Sequence, residues 1–225
     1  MEKEQCLIIT GCQGSGKSSL AYFAALTYEK KNFTILPVSN PYDILTSNLS
    51  ESKAVFILDD VVGKHALNAK KMYSLEFGMS EVEKILFRNR QNLKLIITCC
   101  SNIFESSNLL SITSAFHLNL HSNELTLSSD ERKELLRMYS NESILKSELS
   151  DEILLSHDNL PFVCSFCSNY SCDITNYFDN PQEIILKDLK EKIQKNEKLF
   201  VSLALLVVCN DKINENSLKN RITAT

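Results

Sequence analysis

The sequence predicts an α/β fold: a parallel sheet with helices on both faces, followed by a smaller all-helical region. Three observations carry this. Short apolar runs alternate with helical stretches through the first half of the chain. Runs such as Ala54-Val55-Phe56-Ile57-Leu58 are continuously apolar, as strands buried on both faces are. Residues 11–18 read Gly-Cys-Gln-Gly-Ser-Gly-Lys-Ser, a complete G-x-x-x-x-G-K-[ST] phosphate-binding loop set between an apolar run and a helical one.

The elements follow in order. Residues 6–10, 34–38, 54–59 and 93–99 read as strands, with a weaker one at 116–120, and residues 17–31 and 69–90 as helices. Beyond about residue 125 the pattern is helical. Ser128-Ser129-Asp130-Glu131 is a capping box before an amphipathic stretch. Asn180-Pro181-Gln182-Glu183 is a second start signal, after which Ile185, Leu189 and Ile193 recur along one face; Lys187, Lys190, Glu191 and Lys192 read as its solvated surface. The polar stretch 140–150 reads as a linker or a weak helix. The expected division is an α/β domain over 1–124 and a helical, lid-like region over 125–225.

The loop, a Walker A pattern, makes Gly11, Cys12, Gln13, Gly14, Ser15, Gly16, Lys17, Ser18 and Ser19 the candidate nucleotide-binding set. Glycines let successive backbone N–H groups face one concavity, and the helix N-terminus adds a partial charge of about +0.5. Lys17 is placed to reach the β- and γ-phosphates, and the Ser18 hydroxyl to ligate Mg²⁺. The second element, a Walker B pattern, is the apolar run ending in Asp59-Asp60, which sets carboxylates at the C-terminal edge of the sheet, where ligands bind in open α/β sheets. Asp59 is the candidate Mg²⁺ ligand beside Ser18, and Asp60 the residue that orients or deprotonates an attacking water. Lys17 and Asp60 are thus the candidate catalytic pair.

Composition narrows the class. The chain has 225 residues, 44% of them hydrophobic, enough for a sizeable core. A net charge of −4 gives no nucleic-acid footprint. No stretch reads as a membrane span or signal peptide, so a cytoplasmic protein is expected, with its eight cysteines as thiols. Cys164-x-x-Cys167, with Cys172 and His157 nearby, lacks the second pair of a zinc site and reads as small buried hydrophobes. Cys99 and Cys100 are adjacent on a strand, which argues against a shared metal or a disulfide between them.

The order of these motifs resembles the STAND NTPases, the switch ATPases that include NACHT and NB-ARC proteins, and within them the novel STAND class three. Four segments carry the resemblance: 9–18, 55–64, 93–100 and 125–132. The block His157-Asp158-Asn159-Leu160-Pro161-Phe162 is similar to the family's Gly-x-Pro region, whose proline packs near the adenine; this implies Pro161 as a nucleotide contact. The resemblance implies an ATP/ADP- and Mg²⁺-binding signalling switch of innate-immune or stress pathways, slow hydrolysis, and homo-oligomers in the ATP state. It also implies a hinge near residues 121–130. The chain departs from the family in two places. Where the family carries a phosphate-sensing arginine stands Cys100, with Lys94, Arg88 and Arg90 the nearest basic residues in sequence, and the proline block has Asn159 for glycine. Loss of the arginine implies poor discrimination between ATP and ADP. The winged-helix element and sensor repeats of STAND proteins do not fit in this length, so the chain reads as a fragment, a truncated paralogue or a stand-alone module. Two other readings stay open: a P-loop small-molecule kinase, against which the absence of an Arg-x-x-x-Arg lid signature counts, and a degenerate module that binds nucleotide without chemistry.

Overall fold

The structure is a computed structural model that describes residues 5–47, 53–64, 66–107, 109, 114–139, 149–170, 174–196, 198 and 200–202. The chain divides into two compact units, Met1–Ser171 and Cys172–Thr225. The first begins with β1 (Cys6–Gly11), α1 (Lys17–Glu29), β2 (Thr34–Val38), α2 (Pro41–Thr46), β3 (Ala54–Leu58), α3 (Ala69–Arg88), β4 (Leu93–Cys100), α4 (Ser101–Ser106) and β5 (Phe116–Asn119). It continues with α5 (Ser129–Tyr139), α6 (Asp151–Leu155) and α7 (Leu160–Tyr170). In the second unit lie α8 (Ile174–Asp179) and α9 (Pro181–Lys195).

The described strands form one five-stranded sheet, parallel throughout, in the order β2-β3-β4-β1-β5. Every residue of β1, β3 and β4 is buried. Successive side chains of a strand point to opposite faces, and the core divides accordingly. Leu7, Ile9, Val55, Ile57 and Ile96 pack with Ala21, Ala25 and Tyr28 of α1. Ile8, Phe56, Leu58, Leu95 and Ile97 pack with Ile44 of α2, Leu75, Met79 and Val82 of α3, and Ile103 of α4. This two-sided covering is why the strands carry no polar alternation. Each fully buried Leu, Ile or Phe contributes about 1.5–3 kcal/mol relative to exposure. At Gly78 of α3 a Cβ would lie 2.6 Å from the Cβ of Pro41, so the two helices meet closer than any side chain permits.

The sheet order places β4 between the loop strand β1 and the acid strand β3, bringing the ends of 6–11, 54–58 and 93–100 side by side. Long elements start and stop within a few residues of their sequence signals, whereas short helices escaped notice. α2 begins with a capping box, in which the Asn40 side chain accepts from the N–H groups of Tyr42 and Asp43 while Asp43 accepts from the Asn40 N–H. At six residues it shows no helical period. The capping box of α5 forms as its sequence requires: the Ser128 N–H donates to Glu131 at 2.8 Å and Glu131 N–H to the Ser128 hydroxyl at 3.3 Å. Asn180 differs. Its side chain makes no cap bond to α9, and Pro181 fills the first helical position. No α9 residue is buried, and Ile185 and Leu186 are about half exposed at 47% and 51%. Residues 140–148 of the polar stretch lie outside the described residues, as does Cys172. Cys164 and Cys167 are buried in α7, and burial pushes the Cys164 thiol up to about 11. Among the described residues, no helix is long and apolar enough to cross a membrane.

Candidate functional site

The loop between β1 and α1 closes on the carbonyl oxygen of Cys12. That oxygen accepts from the Ser15 hydroxyl at 2.9 Å and from the Lys17 Nζ at 2.8 Å. Gly14 and Gly16 hold φ of +82° and +89°, the left-handed region that glycine enters without strain. α1 then starts with no acidic residue of its own in the first turn to offset its N-terminal partial charge. Lys17 is 7% exposed, its stem buried and its ammonium folded against the loop.

Across the sheet, Ser18 donates to both carboxylate oxygens of Asp59, at 2.8 and 3.0 Å. Thr98 of β4, fully buried, ties the acids together. Its hydroxyl donates to Asp59 at 2.5 Å and accepts from the Asp60 N–H at 2.8 Å. Asp60 adopts a left-handed backbone (φ +47°), and its carbonyl accepts from Lys71 Nζ at 3.2 Å. Burial, and after it the Asp59 charge, raise the Asp60 carboxyl above the ordinary carboxylate value, against the pull of Lys17, Lys64 and Lys71. A hydroxyl and a carboxylate converging at this spacing are the hard oxygen donors that suit Mg²⁺, so Ser18 and Asp59 fit that ion.

Two clefts flank the loop. The first, of about 280 Å³, is lined by Gln13, Gly14, Gly16, Lys17, Ser18, Ser19, Asp60, Lys64, Tyr139, Pro161, Phe162 and Ser165. The second, of about 340 Å³, is lined by Ser15, Gly16 and Leu20, by Leu118, Leu120, His121, Leu125, Thr126 and Leu127, and by Arg132, His157, Asp158, Leu160 and Pro161. Pro161 lines both. The start of α7 lies directly on the loop: Phe162 N–H donates to the Gly14 carbonyl at 3.2 Å, and a Cβ at Gly14 would lie 2.6 Å from that of Phe162.

Most sequence-predicted site residues therefore meet around one loop, with Asp59 joined through Ser18. Gly11 and Cys12 line neither cleft. Gly11 ends β1 where a Cβ would strike the Ser15 Oγ at 2.5 Å, and Cys12 offers its carbonyl to the loop closure. Cys100, 9% exposed at the end of β4, also lines neither cleft. Arg88 ends α3, before β4 begins, and Lys94 is buried within β4. Sequence reasoning passed over Thr98, Lys64, and the His121–Asp158 pair. A threonine in a strand that is otherwise apolar apart from Lys94 was the one visible signal for Thr98; Lys64 reaches the cleft through the tight turn at Gly63, and His121 and Asp158 come together only in the fold.

A parallel sheet with a Gly-Lys-Ser loop at the end of β1 and paired acids at the end of β3 defines the P-loop NTPases. The chain matches the model of the Novel STAND NTPase 3 family over residues 1–143, and it belongs to that family. It is a STAND-type nucleotide-binding module. No curated protein matches it.

Proposed function

We propose that the chain is a Mg²⁺-dependent ATP/ADP switch module with slow hydrolysis. The observation that carries this reading is the convergence of the Ser18 hydroxyl and the Asp59 carboxylate at 2.8 Å beside a cleft lined by Lys17 and Asp60. In this reading the loop N–H groups and Lys17 hold the phosphates. Ser18 and Asp59 hold Mg²⁺, whose role is to neutralise phosphate charge. Asp60, its carboxyl raised toward the working range of a general base, orients the attacking water. The leucine-rich second cleft takes the base, with Pro161 bordering both moieties. Association into homo-oligomers in the ATP state, a cytoplasmic setting and a role in innate-immune or stress signalling belong to the same proposal and rest on the family.

Calorimetry with Mg-ATP and Mg-ADP, followed by turnover with and without phosphate acceptors, tests it. Binding with slow, acceptor-independent release of phosphate supports the switch. Transfer to an acceptor replaces it with a kinase, binding without turnover with a degenerate module, and an absence of binding removes the reading. Because Lys17 is buried and closes the loop, Lys17→Met, which keeps the stem, is the cleaner binding control than Lys17→Ala.

A further inference from the structure

A chain of polar contacts runs from the phosphate loop away from the acids. The Cys12 N–H donates to His121 Nε2 at 2.5 Å. His121 Nδ1 faces Asp158 Oδ2 at 3.4 Å, and Asp158 Oδ1 lies 3.7 Å from Arg132. Arg132, 3% exposed, donates to the carbonyls of Leu127, Leu154 and His157 at 2.7–2.9 Å. The loop, the segment after β5, and helices α5 and α6 are thus fastened through one imidazole. All belong to the first compact unit.

The chemistry of the first contact decides the state of the ring. A backbone N–H can only donate, so Nε2 must offer its lone pair. The ring is then neutral, with its proton on Nδ1, toward the Asp158 carboxylate. A carboxylate on one imidazole nitrogen fixes which tautomer the other presents, as in metal and catalytic histidines. The field of Asp158 reaches the loop itself: after burial, it is the next contribution raising the Cys12 thiol.

We propose that His121, oriented by Asp158, is a positioning residue of the nucleotide site, holding the first N–H of the phosphate loop and tying the loop to the Arg132-centred helices. This rests on the nucleotide-binding reading above. A doubly protonated ring would turn a second donor toward Cys12 N–H and release the loop. The ionisable groups around His121 are Asp158 and Arg132, His157 lining the same cleft, and the Cys12 thiol; the Asn119 side chain accepts from the His121 backbone N–H at 3.0 Å.

The test is calorimetry of Mg-ADP with the full chain and four variants, with thermal unfolding recorded alongside. His121→Leu removes the acceptor and weakens binding about tenfold, the loop N–H having lost its partner. His121→Gln sets an amide oxygen near the Nε2 position and stays within about threefold of the natural protein. Asp158→Ala weakens binding about threefold alone and adds nothing to His121→Leu, the mark of two residues acting as one unit. Unchanged binding by His121→Leu overturns the proposal, as does an equal loss in His121→Gln, or full additivity with Asp158→Ala. If the natural protein binds no nucleotide, the underlying reading fails as well; if it binds and His121→Leu binds equally, only the positioning role fails.

Discussion

The two clefts beside the phosphate loop are built differently. The Lys17 cleft draws its charged residues from two contiguous motifs, 11–19 and 59–64, each following a strand of the sheet. The Leu120 cleft adds to Ser15, Gly16 and Leu20 a set of leucines and polar groups from 118–132 and 157–161, segments that lie far apart in the chain. The first has chemistry that must be written in adjacent residues, because glycine angles, a helix N-terminus and a lysine have to coincide within one turn of chain. The second needs only an apolar wall and a few polar rims, which many sequences supply. On the proposed reading, a motif reveals where the phosphates are held, while the cleft that takes the base is assembled by the fold.

The largest expected effect separates the clefts outright. Lys17→Met should cut affinity for both Mg-ATP and inorganic triphosphate by about a hundredfold or more, a buried cation directed at phosphate being among the strongest polar contacts; retained binding would move the phosphates elsewhere. Next, Asp60→Asn should slow hydrolysis about a hundredfold while leaving affinity nearly unchanged; a variant that loses only binding denies Asp60 its part with the water. Cys100→Arg should raise preference for ATP over ADP about tenfold if its guanidinium reaches the terminal phosphate. A natural protein that already prefers ATP that strongly, and loses the preference in Lys64→Ala, would assign sensing to Lys64, the exposed cation of the same cleft. Leu120→Ala sharpens the other side. It should weaken Mg-ATP about fivefold through lost apolar contact yet leave inorganic triphosphate unaffected, and an equal loss for both ligands would erase the distinction between the clefts.

The smallest effect lies at the start of α5. Bonds from the Ser128 N–H and hydroxyl hold the Glu131 carboxyl below its ordinary value of 4.5. A depressed carboxylate contributes stability above its unfolded pKa and loses it as pH falls through the folded one. The natural protein should therefore lose on acidification a small stability that Glu131→Gln has already lost at neutral pH, so the variant's acid limb is slightly shallower relative to its own neutral stability; an identical acid limb would leave the capping box without a share in the cleft wall's stability.

Much of this was legible in the residues. Strands such as 54–58 and 93–100 announce themselves because burial on both faces leaves a run with few or no polar residues, and the long helices α1 and α3 because 13 and 20 residues are enough to show a period. The order β2-β3-β4-β1-β5 was not legible, since nothing local states which strands become neighbours. That order is what puts Thr98 between Asp59 and the backbone of Asp60, and it is why a residue inside a core strand took part in the site unnoticed. Short helices such as α2 and α6 hide for want of length. The His121–Asp158 pair, 37 residues apart in sequence, has no local signature at all.

Pro37 carries a consequence for behaviour in concentrated solution. In a parallel strand each residue turns both backbone polar groups to one side, and successive residues alternate. Thr34 N–H donates across to Lys53, so Leu36 and Val38 also face β3, and Ile35 and Pro37 face the open margin of the sheet. Proline has no N–H to offer there. A strand approaching from another molecule would meet an interrupted row of donors, so β2 is a poor template for intermolecular pairing. A sheet whose central strands are buried and mostly apolar is the kind that aggregates when an edge recruits neighbours, and here a single imino acid spoils that edge at no expense to the pairing with β3.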